Sequence, residues 1–197
     1  MTAVLDRVDR ARTPTERRPR EDVVRYYEVA GPDYAAWSPK FNMHFGYFDG
    51  RTNPLRRERM LDRMNRVALD RIRLDEDRPV EVADMGCGLG ATGRFIAEHQ
   101  KNARVFGFTI VPWQVASGNR ISEEAGLRAR VRLALADYAR TPLADASVDA
   151  AYAIESTSYA AGADKDDLVA EMARIVKPGG RVHFSDGFRK DLSLIHI

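Results

Sequence analysis

Val80-Glu81-Val82-Ala83-Asp84-Met85-Gly86-Cys87-Gly88-Leu89-Gly90 is the stretch that decides the fold. Val80 to Met85 reads as a β-strand, apolar at Val80, Val82, Ala83 and Met85. Gly86 to Gly90 reads as a tight turn, and Ala91 to Gln100 as a helix. Glycine lets the chain turn sharply and lets a ligand approach the backbone. A strand, a glycine turn and a helix in this order form half of a βαβ unit.

Outward from that stretch the same alternation continues. Arg104 to Ile110 reads as a second strand. Pro112 opens the next helix, and Gly126 closes it. Val131 to Ala136 is a third strand, and Val148 to Ile154 a fourth, apolar on both faces. Leu168, Met172 and Ile175 mark a helix, stopped by Lys177-Pro178-Gly179-Gly180, and Arg181 to Ser185 begins a fifth strand. The pattern predicts a Rossmann-like α/β fold, a doubly wound and mostly parallel sheet. Right-handed crossovers then place the ligand crevice at the carboxyl ends of the strands.

Upstream, residues 21–78 read as an N-terminal helical lid and acceptor segment. Val23, Val24, Tyr27 and Val29 suggest a short helix between Glu21 and Trp37, broken at Gly31-Pro32. The aromatic run Phe41 to Phe48 follows as a loop. Asn53-Pro54 reads as a cap and first helical residue. Leu61, Met64, Ala68 and Ile72 then recur at helical spacing, with Arg56, Arg59 and Arg63 facing water.

Two ligands suit the glycine turn. Gly86, Gly88 and Ala91 satisfy the dinucleotide fingerprint, so an NAD(P)-dependent oxidoreductase is one reading. Asp84 argues for another. A carboxylate at the strand's end repels a pyrophosphate but anchors the ammonium group of a sulfonium amino acid. Nicotinamide enzymes also place an acid about 20 residues on, for a ribose hydroxyl; Thr109 holds that position. Asp137, after the third strand, can accept from an adenine amino group, and the Tyr138 N–H can meet a ring nitrogen. Singly, each is also an ordinary polar strand end; their order and spacing together favour the sulfonium donor.

The bulk composition narrows the partners. The chain has 197 residues, 44% of them hydrophobic, enough for one domain with a real core. A net charge of +2 is too small to argue for nucleic acid, and none is expected as a partner. Cys87 is the single cysteine, which excludes an internal disulfide and suggests a reducing cytoplasm. No apolar run reaches the roughly 20 residues of a membrane span. The excess of arginine over lysine, with abundant alanine, reads as a bacterial coding bias. His99 and His183 have no metal spacing with a cysteine or acid, so no metal is expected.

Val82 to Gly90 resembles the first motif of the class I S-adenosylmethionine-dependent methyltransferases. Asp137-Tyr138 to Pro142, Asp145 to Ala150, and Lys177 to Gly180 resemble their later motifs, so the likeness covers roughly 80–188. Three stretches resemble the sterol, tocopherol and cyclopropane-fatty-acid group: Met43-His44-Phe45-Gly46-Tyr47, Gly107 to Gln114, and Tyr152-Ala153-Ile154-Glu155-Ser156. The resemblance implies S-adenosyl-L-methionine as donor and a small-molecule acceptor, methylated at carbon or oxygen: a lipid, terpenoid, polyketide or phenol. It implies that Asp84, Gly86, Cys87, Gly88 and Gly90 hold the amino-acid end. Thr109 and Gln114 would meet the ribose, Asp137 and Tyr138 the adenine, and the Ile154 carbonyl the ammonium, with Tyr47 beside them. Tyr159 stands near the place where sterol enzymes tend to have histidine, which argues against a sterol acceptor. Adenine-amino methyltransferases would need an Asn/Asp-Pro-Pro-aromatic turn after the fourth strand; Ile154-Glu155-Ser156-Thr157 stands there instead.

Candidate bases on the acceptor side are Glu155, His44 and Tyr159, although Glu155 reads better as a positioning residue than as a base, and a helix-capping or packing role suits His44 at least as well as catalysis. Tyr26, Tyr27, Trp37, Phe45 and Tyr47 would line a pocket able to stabilise a carbocation, or pack the lid onto the sheet. Residues 1–20 read as a disordered lead-in. Residues 79–191 form the donor-binding domain, which reads as truncated after the fifth of the family's seven strands; the alternative to an enzyme is an incomplete cofactor-binding fragment. Residues 192–197, Leu-Ser-Leu-Ile-His-Ile, are what a transposon-end sequencing adapter would encode and read as an artificial tail.

Overall fold

The computed structural model describes residues 20–53, 55–162 and 164–187. Its strands are β1 (Val80–Met85), β2 (Ala103–Thr109), β3 (Val131–Leu135), β4 (Val148–Ile154) and β5 (Val176–Ser185). Its helices are α1 (Arg20–Trp37), α2 (Arg57–Ile72), α3 (Ala91–His99), α4 (Pro112–Glu124) and α5 (Asp166–Ile175). The lead-in (save Arg20), Pro54 and the 192–197 tail lie outside the described residues.

The strands form one sheet in the order β3-β2-β1-β4-β5, and every ladder is parallel. β1 and β4 are buried on both faces, as central strands of a doubly wound sheet must be. Alternate residues feed two cores. Val80, Val82, Val105, Ala150 and Tyr152 pack with Ile72 of α2 and Ile96 of α3. Ala83, Met85, Ala151 and Ala153 pack on the other side with Leu168, Met172 and Ile175 of α5. Strand order reverses between β2 and β4, on either side of β1, and there the carboxyl ends leave a crevice.

Three local expectations need correction. α1 runs unbroken through Gly31-Pro32. One lost helical hydrogen bond is offset by contacts on both sides: Tyr27 and Tyr34 lie ring to ring, and Gly31 packs so tightly on the Trp113 indole that a Cβ would sit 2.8 Å from it. α2 starts at Arg57, because the Asn53 carboxamide accepts the Leu55 N–H and closes a local turn instead of capping the helix. Lys177 to Gly180 lie within β5, not before it. Pairing jumps from Val148–Val176 to Ala150–Arg181, so the four residues bulge out of the ladder.

Candidate functional site

The crevice is one continuous cavity. It is lined by Asp84, Gly86, Cys87 and Gly88 of the first strand and turn, by Thr109, Gln114, Asp137, Tyr138 and Ile154, and by Tyr27, Phe41, Met43, His44, Glu155 and Tyr159. Nine of the eleven residues assigned to the donor therefore share one wall system. The structure does not bring the other two to it. Gly90 caps α3 in the left-handed conformation and packs on Leu133. Tyr47 points outward, 43% exposed, because its N–H is bonded to the Met60 carbonyl and fixes that segment against α2.

Asp84 ends the apolar face of β1 that begins with Val80 and Val82. It is 4% exposed, and its Oδ2 accepts the Tyr152 hydroxyl at 2.7 Å. Burial pushes its carboxyl up to about 7, against the opposing pull of that hydrogen bond. Gly86 and Gly88 adopt φ of +89° and +52°, a region costly for other residues. A Cβ on Gly86 would lie 2.4 Å from that of Ser156, and one on Gly88 2.8 Å from Met43 Sδ. The Gly86 and Cys87 N–H groups both bond to the Phe108 carbonyl, which pins the turn to β2.

Thr109 and Gln114 meet each other. The Thr109 hydroxyl donates to Gln114 Oε1 at 2.6 Å and accepts the Val111 N–H. Asp137 Oδ1 accepts the Ala139 N–H, and the Tyr138 hydroxyl donates to the Ser156 carbonyl.

On the acceptor side, Glu155 sits in the left-handed region (φ 50°), and its Oε1 accepts the Phe45 N–H at 2.8 Å. Burial pushes its carboxyl above the ordinary value. His44 is committed on both edges: Nδ1 lies 2.8 Å from the Phe45 carbonyl oxygen and Nε2 2.9 Å from Asn65 Oδ1. The Tyr159 and Tyr27 hydroxyls are 3.2 Å apart. Of the five aromatics expected in the pocket, Tyr27 alone lines the cavity. Trp37 and Phe45 pair edge to face outside it, with Arg57 over the indole.

Sequence reasoning missed three contributors. Asn65 of α2 is 1% exposed and joins Asn42, His44 and Thr92 in a buried polar network that ties the 38–45 segment to α2 and α3. Arg94 of α3 donates to the Leu89 and Lys40 carbonyls, bridging the glycine turn and the same segment. Tyr152 holds Asp84. Each carries a polar group where helix or strand pattern expects an apolar one, and that is the signal that marks them. Among the described residues no His, Cys, Asp and Glu cluster could hold a metal, and no helix is long and apolar enough to cross a membrane.

A family model described as a methyltransferase domain matches residues 82–180, half of the sequence and the whole donor wall from β1 to the β5 bulge. The chain belongs to the methyltransferase-domain family. The nicotinamide reading gives way to that match. This methyltransferase-family chain is 30% identical over 162 residues to a probable tocopherol O-methyltransferase of Oryza sativa subsp. japonica, covering 80% of this chain and 43% of the relative. It is 34% identical over 149 residues to the methyltransferase GfsG of Streptomyces halstedii, covering 74% and 50%. It thus spans about half the length of the curated relatives it matches. Among solved structures, the [4+2]-cyclase SpnF superposes with a TM-score of 0.72 at 28% identity, over 86% of this chain and 61% of that one. The cofactor of such methyltransferases is S-adenosylmethionine, and the site fits it. A buried carboxylate held by the Tyr152 hydroxyl suits an ammonium group, and two side-chain-free positions open the turn beside it.

Proposed function

We propose that this chain binds S-adenosylmethionine along Asp84, Gly86, Gly88, Asp137 and Tyr138 and methylates an apolar small molecule at carbon or oxygen. The observation that carries the reading is that one cavity joins the Asp84 carboxylate to an aromatic wall ending in a carboxylate, Glu155. The donor supplies an activated methyl group on a sulfonium sulfur. What remains for the protein is to hold the partners in line and to take a proton from the acceptor.

Glu155 suits the second task. One oxygen is tied to the Phe45 N–H, the other has no hydrogen-bond partner among the described residues, and burial raises its basicity. Tyr27 and Tyr159 present ring faces and a hydroxyl pair to the same space, which serves a phenol or an electron-poor intermediate. Relatives named for tocopherol O-methylation and sterol C-methylation support an apolar acceptor of phenolic or isoprenoid type. Residues 21–78 act as the lid that excludes water from the transfer. Arginine-rich composition and a lone cysteine support a bacterial, cytoplasmic protein.

The test is incubation of the chain with methyl-labelled donor and a panel of phenols, isoprenoids and polyketides. Labelled product is expected from at least one class. A fold neighbour is named as a cyclase, so unmethylated isomers must be sought too. Donor binding with no labelled product from any class would overturn the transferase reading.

A further inference from the structure

β1 and β4 pair in strict register, and Asp84 stands directly opposite Tyr152. Cross-strand partners in a parallel sheet share a face, so the Tyr152 ring runs through the apolar layer beneath α2 and α3 and delivers its hydroxyl to the carboxylate at the crevice. Tyr152 is completely buried, in a strand otherwise made of Val, Ala, Ile and Asp149. A phenol at such a place must find an acceptor, and Asp84 Oδ2 is that acceptor.

We propose that Tyr152 is a positioning residue for the methyl donor: its hydroxyl aims the Asp84 carboxylate at the ammonium group and favours its ionised form against burial, so the pair sets how far donor binding persists toward acid pH. This rests on the reading of Asp84 as the ammonium anchor. The groups facing Asp84 are few. β4 offers Tyr152; the turn offers Cys87, whose thiol burial pushes up; β2 offers only Gly107 in register; and Arg94 of α3 acts on Cys87. Among the described residues, the Tyr152 phenol is the side chain that favours the Asp84 charge against burial, and the balance of the two leaves the carboxyl at about 7. An arriving ammonium completes the ionisation, and the displaced proton leaves to solvent.

The experiment is calorimetric titration of the full chain with S-adenosylhomocysteine from pH 5.5 to 8.5, for wild type, Tyr152→Phe and Asp84→Asn. In wild type, affinity falls on the acid side with a limb centred near pH 7. Loss of the hydroxyl moves that limb up by about one pH unit, giving affinity roughly 10-fold weaker at pH 6 and within about twofold of wild type at pH 8.5. Asp84→Asn binds weakly at every pH and has no limb. Binding enthalpy of wild type at pH 7 also differs between phosphate and Tris, which take up the released proton with different heats; this needs no variant to fold. Superimposable limbs, a loss of affinity equal at all pH, or no buffer dependence would overturn the proposal. Asp84→Asn binding as tightly as wild type, or no binding by wild type, would instead overturn the anchor assignment itself.

Discussion

Replacing Asn65 with alanine tests how the acceptor wall is held. The side chain is buried and makes three contacts: Oδ1 accepts the Thr92 hydroxyl at 2.7 Å and faces His44 Nε2 at 2.9 Å, and Nδ2 donates to Asn42 Oδ1 at 2.9 Å. Truncation leaves three buried polar groups without their partner, at about 1–3 kcal/mol each. Asn42 keeps its contact with the Ser38 hydroxyl, and His44 keeps the Phe45 carbonyl, so relaxation trims the sum. The expected loss is about 3–5 kcal/mol, or roughly 10 °C in melting temperature for a domain of this size. Urea unfolding gives the first number and hydrogen exchange the second readout: amides of 38–45 should lose protection before those of β1 and β4 do. The exposed pair Arg120–Glu124 is the control, since its removal should cost under about 0.5 kcal/mol. A loss below about 1 kcal/mol for Asn65→Ala, with 38–45 still protected, would refute the network as the anchor and return His44 to the list of free catalytic groups.

Three further outcomes follow from the same geometry. Gly86→Ala combines a φ of +89° with a Cβ 2.4 Å from Ser156, so donor affinity should fall at least 10-fold by calorimetry while far-ultraviolet dichroism stays native. Asp84→Asn should stabilise the ligand-free fold: a carboxyl raised by burial from 3.8 to about 7 contributes stability that is full below pH 4 and lost as pH rises through 7, so the variant should gain on the order of 3 kcal/mol at pH 8 in thermal melts, a gain that shrinks toward pH 4. Glu155→Gln should lower kcat by about 100-fold or more with donor affinity unchanged, read with labelled donor; equal rates would remove Glu155 as the base.

The donor half of the site was legible because its demands are local. Gly86 and Gly88 are read from a turn only glycine tolerates cheaply, and Asp84 from its place at the end of an apolar strand. The acceptor half was not, because its determinants are long-range. Asn65 stands on the apolar stripe of α2, but its partners lie 21 to 27 positions away in sequence, so its position does not reveal what it binds. The hydroxyl of Tyr152 gains meaning only from the β1–β4 register, 68 positions apart. Gly31-Pro32 misled for the opposite reason: the local rule is sound, and packing on Trp113 overrode it.

The single bond from Glu155 to the Phe45 N–H has a consequence for how such a protein can change. The donor wall is built into the hydrogen-bond ladder of the sheet, so an altered residue there disturbs the scaffold itself. The acceptor wall is fastened from outside, by the Glu155 carboxylate, Asn65 of α2 and Arg94 of α3. Substitutions in 38–48 can therefore reshape what is accepted while leaving the methyl source where it was. New substrates in this lineage should arise by drift in that strip, and a library for altering selectivity belongs there, with β1, β4 and the glycine turn left untouched.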